Sequence, residues 1–358
     1  MIACLHIGTL KTGSATIQDF LYANRDLLRS RGCLYPLSVM QQDLTGQHDH
    51  HPLACRRLRG LERRLRFEIR RNRACTHLLL SSETCASERT TSESIAEMRT
   101  FLERLGITHT RILIYIRDPG ALFASQCSQD VKNGVAENTA LLPPQDNVTV
   151  RHAAAYRDII EGWGAVFGAD SITVRLFERS SLYQGDLLRD FMQAAGCPWD
   201  ERFLIPPRGN EPLNLLEMEL LRRINRLLPG HALDAGTPKY QLYECLHRHL
   251  SLPDDPQLCF TPPHAICQAY REAGEGDSEW VRHTLFASRA QLYANDALSR
   301  QRNNYELREM RPEYWDALAA LLVELGTRGE HPPRRLARRI WHRYRTRTAH
   351  WLRIILSG

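Results

Sequence analysis

The first half of the chain alternates between short apolar runs and longer amphipathic stretches. The apolar runs predict strands at 2–7, 77–82, 111–116 and 172–177, and the amphipathic stretches predict helices at 15–30, 93–105, 120–133, 152–167 and 185–195. Strands that alternate with helices form parallel sheets, so the pattern predicts an α/β fold with a doubly wound parallel sheet flanked by helices. From Leu213 onward strand signals fade, and we expect residues 1–230 to form this core and 231–358 to form a mostly helical C-terminal extension.

The turn after the first predicted strand is rich in Gly, Lys, Ser and Thr. Backbone N–H groups at a helix start have no intrahelical partner, and the helix dipole adds positive charge there, so the turn predicts a phosphate or sulfate site over which Lys11 closes. Gly8 and Gly13 have the spacing of a P-loop, but Ser14 stands where a nucleotide kinase places its lysine. The loop is therefore P-loop-like, and magnesium-dependent kinase chemistry is disfavoured.

A second strand, turn and helix follow at 111–134. Arg117 lies at the end of the apolar run, Pro119 marks the helix start, and Ser125 comes eight residues after Arg117. Ligands of open α/β sheets bind at the carboxyl ends of the strands, so this unit is expected to face the first loop across one crevice. The two segments predict two anion sites on one nucleotide.

These segments resemble the sulfotransferase family that uses 3′-phosphoadenosine 5′-phosphosulfate, particularly its bacterial carbohydrate-type members. The resemblance covers roughly residues 2–225 and assigns the 5′-phosphosulfate to the loop Lys11, Thr12, Gly13, Ser14, Ala15 and Thr16, and the 3′-phosphate to Arg117 and Ser125. It also implies that Phe177 lies near adenine, and that Arg208 and Asn210 in a late loop contact the nucleotide. A tryptophan that cytosolic members carry after the first loop is absent here.

The base that removes the acceptor's proton has two candidates. Glu83 ends the apolar run 77–82 and is predicted at the same sheet edge as Lys11, where the resemblance supports a catalytic glutamate. His48, His50 and His51 surround Asp49 in a polar loop, and either His50 or His51 is a competing base or an acceptor contact. Adjacent loop residues cannot all face one ion without strain, so we predict no metal site.

Composition limits the remaining classes. No apolar run reaches 18 residues and the first strand begins at residue 2, so we expect a cytoplasmic protein without a signal peptide or membrane anchor. The ten cysteines contain no C-x-x-C pair, which favours reduced, packed thiols over disulfides or structural zinc. The net charge of +6 without a recognised motif predicts no nucleic-acid partner.

The last segment, 332–358, has eight arginines, no acidic residue and a stripe that includes Trp341 and Trp351. Such a basic amphipathic helix suits an anionic membrane surface, and equally suits docking of its apolar stripe on the core.

The sequence therefore predicts a metal-independent sulfotransferase that moves a sulfuryl group from 3′-phosphoadenosine 5′-phosphosulfate to a hydroxyl of a carbohydrate or glycolipid, in the cytoplasm or on the inner membrane face. Two alternatives stay open: a non-catalytic module that binds a nucleotide or glycan, and a P-loop kinase.

Overall fold

The computed structural model describes residues 1–39, 59–82, 85–206 and 260–294, the backbone of 41–42 and 48–49, and positions 213–215, 217–218, 221–222 and 225. The strands are β1 (Ile2–His6), β2 (Cys33–Leu34), β3 (Gln41–Gln42), β4 (His48–Asp49), β5 (His77–Ser81), β6 (His109–Ile116) and β7 (Ile172–Leu176). The helices are α1 (Ser14–Ala23), α2 (Arg25–Ser30), α3 (Arg59–Arg71), α4 (Cys85–Glu88), α5 (Ser92–Arg104), α6 (Pro119–Lys132), α7 (Val148–Ala153), α8 (Tyr156–Phe167), α9 (Leu187–Ala195), α10 (His264–Ala273) and α11 (Glu275–Leu285).

The predicted α/β fold is confirmed by a five-stranded parallel sheet. Its strand order is β2-β5-β1-β6-β7, and β3 pairs with β4 in a separate antiparallel hairpin. β1 is central and buried along most of its length. The chain leaves β1 toward one edge of the sheet and later crosses to β6 on its other side, so the carboxyl ends of these two neighbours form the switch point where such sheets bind ligands.

Helices cover this sheet in two groups. α1 packs with α9, and α5 packs with α8. Crossover connections between parallel strands are right-handed. A helix that precedes a step toward β2 therefore lies on the opposite face of the sheet from a helix that precedes a step toward β7. The core between the layers is made by the apolar residues of the strands, among which Leu5, Leu79 and Ile114 are fully buried.

Two predicted helices are each split in the structure. The stretch 15–30 forms α1 and α2, because the buried Asn24 between them binds a distant segment: its Nδ2 donates to the Leu204 carbonyl at 2.7 Å, and its Oδ1 accepts from the Leu204 N–H at 2.7 Å. The stretch 152–167 forms the end of α7 and α8, separated at Ala154 and Ala155. α3 and β2 were not predicted.

The chain divides into two compact units, and the structure describes part of each. The first takes in Met1–Cys127, Asn138–Pro212 and Thr261–Asn303, and it holds the whole sheet. In the second, the Leu213 N–H donates to the Ser128 hydroxyl at 2.9 Å, and the buried Asn225 donates to the carbonyls of Val131 and Val135. α10 and α11 belong to the first unit, although they follow residue 231. The predicted boundary near residue 230 stays a prediction.

Candidate functional site

The loop from β1 to α1 is fixed in place by its own hydroxyl groups. The Thr9 hydroxyl donates to the Tyr115 carbonyl in β6 at 2.5 Å, and the Thr12 hydroxyl donates to the Thr9 carbonyl at 2.8 Å. Both threonines are buried. The side chain of Thr12 therefore braces the loop, and its predicted contact with a nucleotide stays a prediction.

Three residues of this loop have left-handed backbone conformations, with φ of 59° at Gly8, 60° at Lys11 and 82° at Gly13. Glycine adopts such values readily, but a lysine does so at a cost, and strain of this kind concentrates at functional sites. The conformation of Lys11 brings its carbonyl to Arg117, whose Nη1 donates to it at 3.1 Å. The two anion-binding segments predicted from the sequence therefore meet at one hydrogen bond.

The start of α1 has no side-chain cap. Gly13 is its N-cap and supplies no side-chain hydrogen bond, and the first turn contains no acidic residue. The Ser14 hydroxyl is buried and has no hydrogen-bond partner among the described residues. Ala15 and Thr16 follow in the same turn and are partly exposed. Uncapped N–H groups and an unpartnered hydroxyl are what a bound phosphate or sulfate satisfies.

Gly13 is closely packed against the side chains of Leu187 and Phe177. A Cβ atom at this position would lie 2.5 Å from Leu187 Cδ2 and 3.0 Å from Phe177 Cε2. Only glycine fits in this space at positive φ. The contact with Gly13 places the Phe177 ring against the loop between β1 and α1. Phe177, the aromatic residue predicted near adenine, therefore lies beside the loop between β1 and α1.

Arg117 follows β6 and lies over the same ring, with its guanidinium carbon 5.5 Å from the Phe177 centroid. Its N–H donates to the Tyr156 oxygen at 3.2 Å and its carbonyl accepts from the Tyr156 hydroxyl at 2.7 Å, which fixes the backbone. Burial lowers the pKa of Arg117, with Tyr156 and Asp118 opposing this shift. No carboxylate lies within salt-bridge distance of the guanidinium in the described part of the chain. A partly desolvated cation of this kind suits an anionic ligand.

The neighbouring carboxylate, Asp118, is engaged elsewhere. Arg271 in α10 pairs with it at 2.9 Å, and the Ala121 N–H donates to its Oδ1 at 2.8 Å at the start of α6. The pair is mostly withdrawn from solvent. Arg271 was missed by the sequence analysis, since it lies 153 residues from Asp118 in a segment without a motif.

His6, the last residue of β1, belongs to a hydrogen-bond network that joins β1, β5 and α1. Its Nδ1 lies 2.9 Å from the Ser81 hydroxyl at the end of β5, and Gln18 of α1 donates to the same hydroxyl at 3.2 Å. The imidazole edge packs against the rings of Tyr115 and Phe191, each with centroids 5.8 Å away. Burial lowers the pKa of His6 to about 3, so the ring is neutral. A histidine at the end of an apolar strand was the available signal for this network, which the sequence analysis missed.

The remaining predicted residues are less defined. Ser125 lies in α6, partly exposed, and none of its described contacts joins it to Arg117. Glu83, His50, His51, Arg208 and Asn210 lie outside the described residues, and of His48 only the backbone is described. The flanks of Glu83 are known: Ser82 N–H donates to the His6 carbonyl at 3.0 Å, and Ala86 N–H donates to the Ile7 carbonyl at 3.2 Å.

Within the described residues, no group of three His, Cys, Asp or Glu side chains is placed to hold a metal ion. Among the described helices, none is both long and apolar enough to cross a membrane.

Comparison with known proteins gives few matches. No protein family model matches the chain. An uncharacterized protein of Archaeoglobus fulgidus is 26% identical over 143 residues, which is 40% of this chain and 38% of the length of that protein. The crystal structure of a sulfotransferase from Alicyclobacillus acidocaldarius is similar over 61% of this chain and 88% of its own, with a TM-score of 0.36 and 16% identity. The functional proposal therefore depends on the residues of this chain.

Proposed function

We propose that this protein is a sulfotransferase that takes a sulfuryl group from 3′-phosphoadenosine 5′-phosphosulfate. The contact between the Arg117 guanidinium and the Lys11 carbonyl carries the proposal. It joins two elements predicted to bind anions, at the switch point of the sheet, and a nucleotide with phosphates at both its 5′ and 3′ positions has two anions to match them. Phe177 touches both elements and offers a ring for the base.

The residues have distinct roles in this proposal. The uncapped start of α1 and the Ser14 hydroxyl bind the 5′-phosphosulfate, and Lys11 stabilises the negative charge that develops on the leaving phosphate oxygen. Arg117, with Ser125, binds the 3′-phosphate through charge-assisted hydrogen bonds. When bound, the nucleotide supplies a sulfuryl group on a good leaving group.

The base in this proposal is Glu83. As the acceptor's hydroxyl oxygen bonds to sulfur and the bond from sulfur to the phosphate oxygen breaks, the Glu83 carboxylate takes the hydroxyl proton. This choice is supported by the hydrogen bonds of Ser82 and Ala86, which tie both described flanks of Glu83 to the end of β1 and the start of its loop. His51 is proposed as an acceptor contact, with the base role as its alternative.

The acceptor is proposed to be a carbohydrate or a glycolipid, and the basic helix predicted at 332–358 to bring the enzyme to an anionic membrane. These two proposals depend on the sequence pattern of segments outside the described residues. They are independent of the nucleotide site.

The test is direct. Purified protein is titrated with adenosine 3′,5′-bisphosphate, and in parallel it is incubated with the sulfate donor and a panel of glycans or lipid extracts, with and without a metal chelator. We expect saturable nucleotide binding and products heavier by one SO₃ group, unaffected by the chelator. Binding without transfer would favour a binding module, absence of bisphosphate binding would refute the nucleotide assignment, and chelator-sensitive phosphoryl transfer from ATP would favour a kinase.

A further inference from the structure

Two buried thiols from distant parts of the chain are in direct contact. The Sγ atoms of Cys33 and Cys197 lie 2.9 Å apart, although 164 positions separate the two residues in the sequence. Cys33 is in the edge strand β2, and Cys197 follows Gly196, whose left-handed conformation ends α9. Both residues are almost fully withdrawn from solvent. Their side chains therefore already have the proximity that a covalent bond between the sulfurs requires.

The surroundings of the pair favour one thiolate. The hydrogen bond that Cys33 shares with Cys197 lowers the pKa of Cys33 against the opposing effect of burial. The pKa of Cys197 is raised, first by this shared hydrogen bond and then by burial. Nearby, the Arg111 guanidinium donates to the Ala194 carbonyl at 2.6 Å and lies 3.3 Å from the position of a Cβ on Gly196. Arg111 acts on Cys197, so Cys33 has two features of an oxidisable cysteine, a lowered pKa and a second thiol in contact, while its solvent access is low because both sulfurs are buried.

We propose that Cys33 and Cys197 form a reversible disulfide that ties β2 to the end of α9 when the protein meets a hydroperoxide. The Cys33 thiolate attacks one peroxide oxygen, the O–O bond breaks, and Cys33 becomes a sulfenic acid while hydroxide leaves, or an alkoxide if the peroxide is organic. The Cys197 sulfur then attacks the Cys33 sulfur, and the hydroxyl departs as water with the Cys197 proton. Two electrons pass from the two sulfurs to the peroxide, and an external dithiol reverses the change.

The bond has a consequence for the candidate site, and in this respect it rests on the proposed function. α9 begins at Leu187, the residue whose side chain packs against Gly13, and it ends next to Cys197. A disulfide at the C-terminal end of α9 restrains this helix. The N-terminal end of the same helix packs against the loop between β1 and α1. The disulfide also closes a long stretch of chain, and so restricts the unfolded state more than the folded one.

Other thiols provide both competitors and a control. Among the described residues, Cys75 lies near Cys33, with its thiol donating to the Arg29 carbonyl at 3.7 Å, and Cys4 lies near Cys197, so both are alternative partners. Cys267 is equally buried, and burial raises its pKa to about 11, but it packs beside α6, where Gly120 approaches its carbonyl. Cys267→Ser is therefore a matched change in a buried thiol of another element, α10.

The experiment compares the reduced full chain with the chain after hydrogen peroxide treatment. Free thiols are alkylated, the protein is digested without reductant, and peptides are identified by mass spectrometry; thermal unfolding is followed on the same samples. We expect a peptide that links Cys33 to Cys197, and a rise in Tm of roughly 10 °C that dithiothreitol reverses. Cys33→Ser and Cys197→Ser should each abolish both effects, and Cys267→Ser should abolish neither.

The proposal is overturned by a Cys33–Cys75 link, by a link from Cys33 to any other cysteine, by sulfinic acid at Cys33 without a link, or by no oxidation of the pair. The wild-type peptide map decides the point even if a serine variant fails to fold. Because neither readout uses the nucleotide, failure here leaves the proposed sulfotransferase function untouched, and failure of that function leaves the disulfide testable.

Discussion

Replacement of Arg117 by glutamine separates the two proposed phosphate sites. The variant keeps a polar side chain of similar length but loses the charge that lies against the Lys11 carbonyl and the Phe177 ring. Loss of a charged hydrogen bond costs about 1.5–3 kcal/mol, so affinity for adenosine 3′,5′-bisphosphate should fall roughly 10- to 150-fold. Affinity for adenosine 5′-monophosphate, which lacks the 3′-phosphate, should change much less.

The smaller effect on the monophosphate has a structural origin. The lost bond to the Lys11 carbonyl loosens the loop, and an ordinary hydrogen bond contributes about 0.5–1.5 kcal/mol, so both nucleotides should lose up to roughly tenfold from this source. The ratio of the two affinities cancels that shared loss. It therefore measures the contact with the 3′-phosphate alone.

Arg157→Gln is the matched control. Arg157 also lies over an aromatic ring, with its guanidinium carbon 5.4 Å from the Trp280 centroid, but it pairs with Glu161 at 3.2 Å on an exposed helix face. Isothermal titration of both variants with both nucleotides, with Tm as a check on folding, gives the comparison. Equal losses for the two nucleotides in Arg117→Gln, or no loss, would refute the assignment of Arg117 to the 3′-phosphate.

Three further predictions concern the base, the buried histidine and the C-terminal segment. Glu83→Gln should keep bisphosphate binding and lose about 10²–10⁴ in single-turnover rate, whereas His51→Ala should act on acceptor affinity; the reverse ranking moves the base to the histidine loop. The pKa of His6 is lowered from 6.5 to about 3, so its unfolded form binds a proton that its folded form excludes. As the pH is lowered from 6.5 toward 3, this proton uptake should reduce the unfolding free energy measured in urea melts by up to about 1.4 kcal/mol per pH unit, and a slope in His6→Asn equal to that of the wild type would contradict it. A chain ending at Glu330 should keep bisphosphate binding but no longer sediment with anionic liposomes at low salt; full-length protein that ignores the liposomes contradicts the membrane proposal.

The fold and the conformation of the loop between β1 and α1 were predictable because their signals are local. An apolar run followed by glycines and a helix start defines the loop within residues 5–21, and the apolar run before Arg117 defines the second strand in the same way. Parallel pairing then brings their carboxyl ends together without further information, as the register of β1 with β6 shows. The meeting of Lys11 and Arg117 follows from topology.

The missed features depend on contacts between distant residues. Asn24 divides a helix because its amide binds Leu204, 180 positions away, and nothing in the surrounding sequence marks this. α3 was missed because few of its residues are apolar; Leu61 and Leu65 are buried, while arginines cover much of its surface. β2 has only two residues and gives no periodic signal. Tertiary packing decides these elements, and local propensity does not.

The contact between Asp118 and Arg271 carries a final prediction about how Arg117 stays available to a ligand. The charge of Arg271 occupies the carboxylate that adjoins Arg117 in the chain. Once Arg271→Ala frees that carboxylate, Asp118 competes with the 3′-phosphate for Arg117, and affinity for the bisphosphate should fall by about threefold to tenfold, the scale of a partly exposed ion pair. Adding Asp118→Asn should restore affinity, because asparagine keeps the oxygen that accepts from the Ala121 N–H but carries no charge. A merely structural role for Arg271 predicts no such rescue, so an affinity that stays low in the double variant, with Tm unchanged from the single one, would show that Arg271 acts only by holding α10 in place.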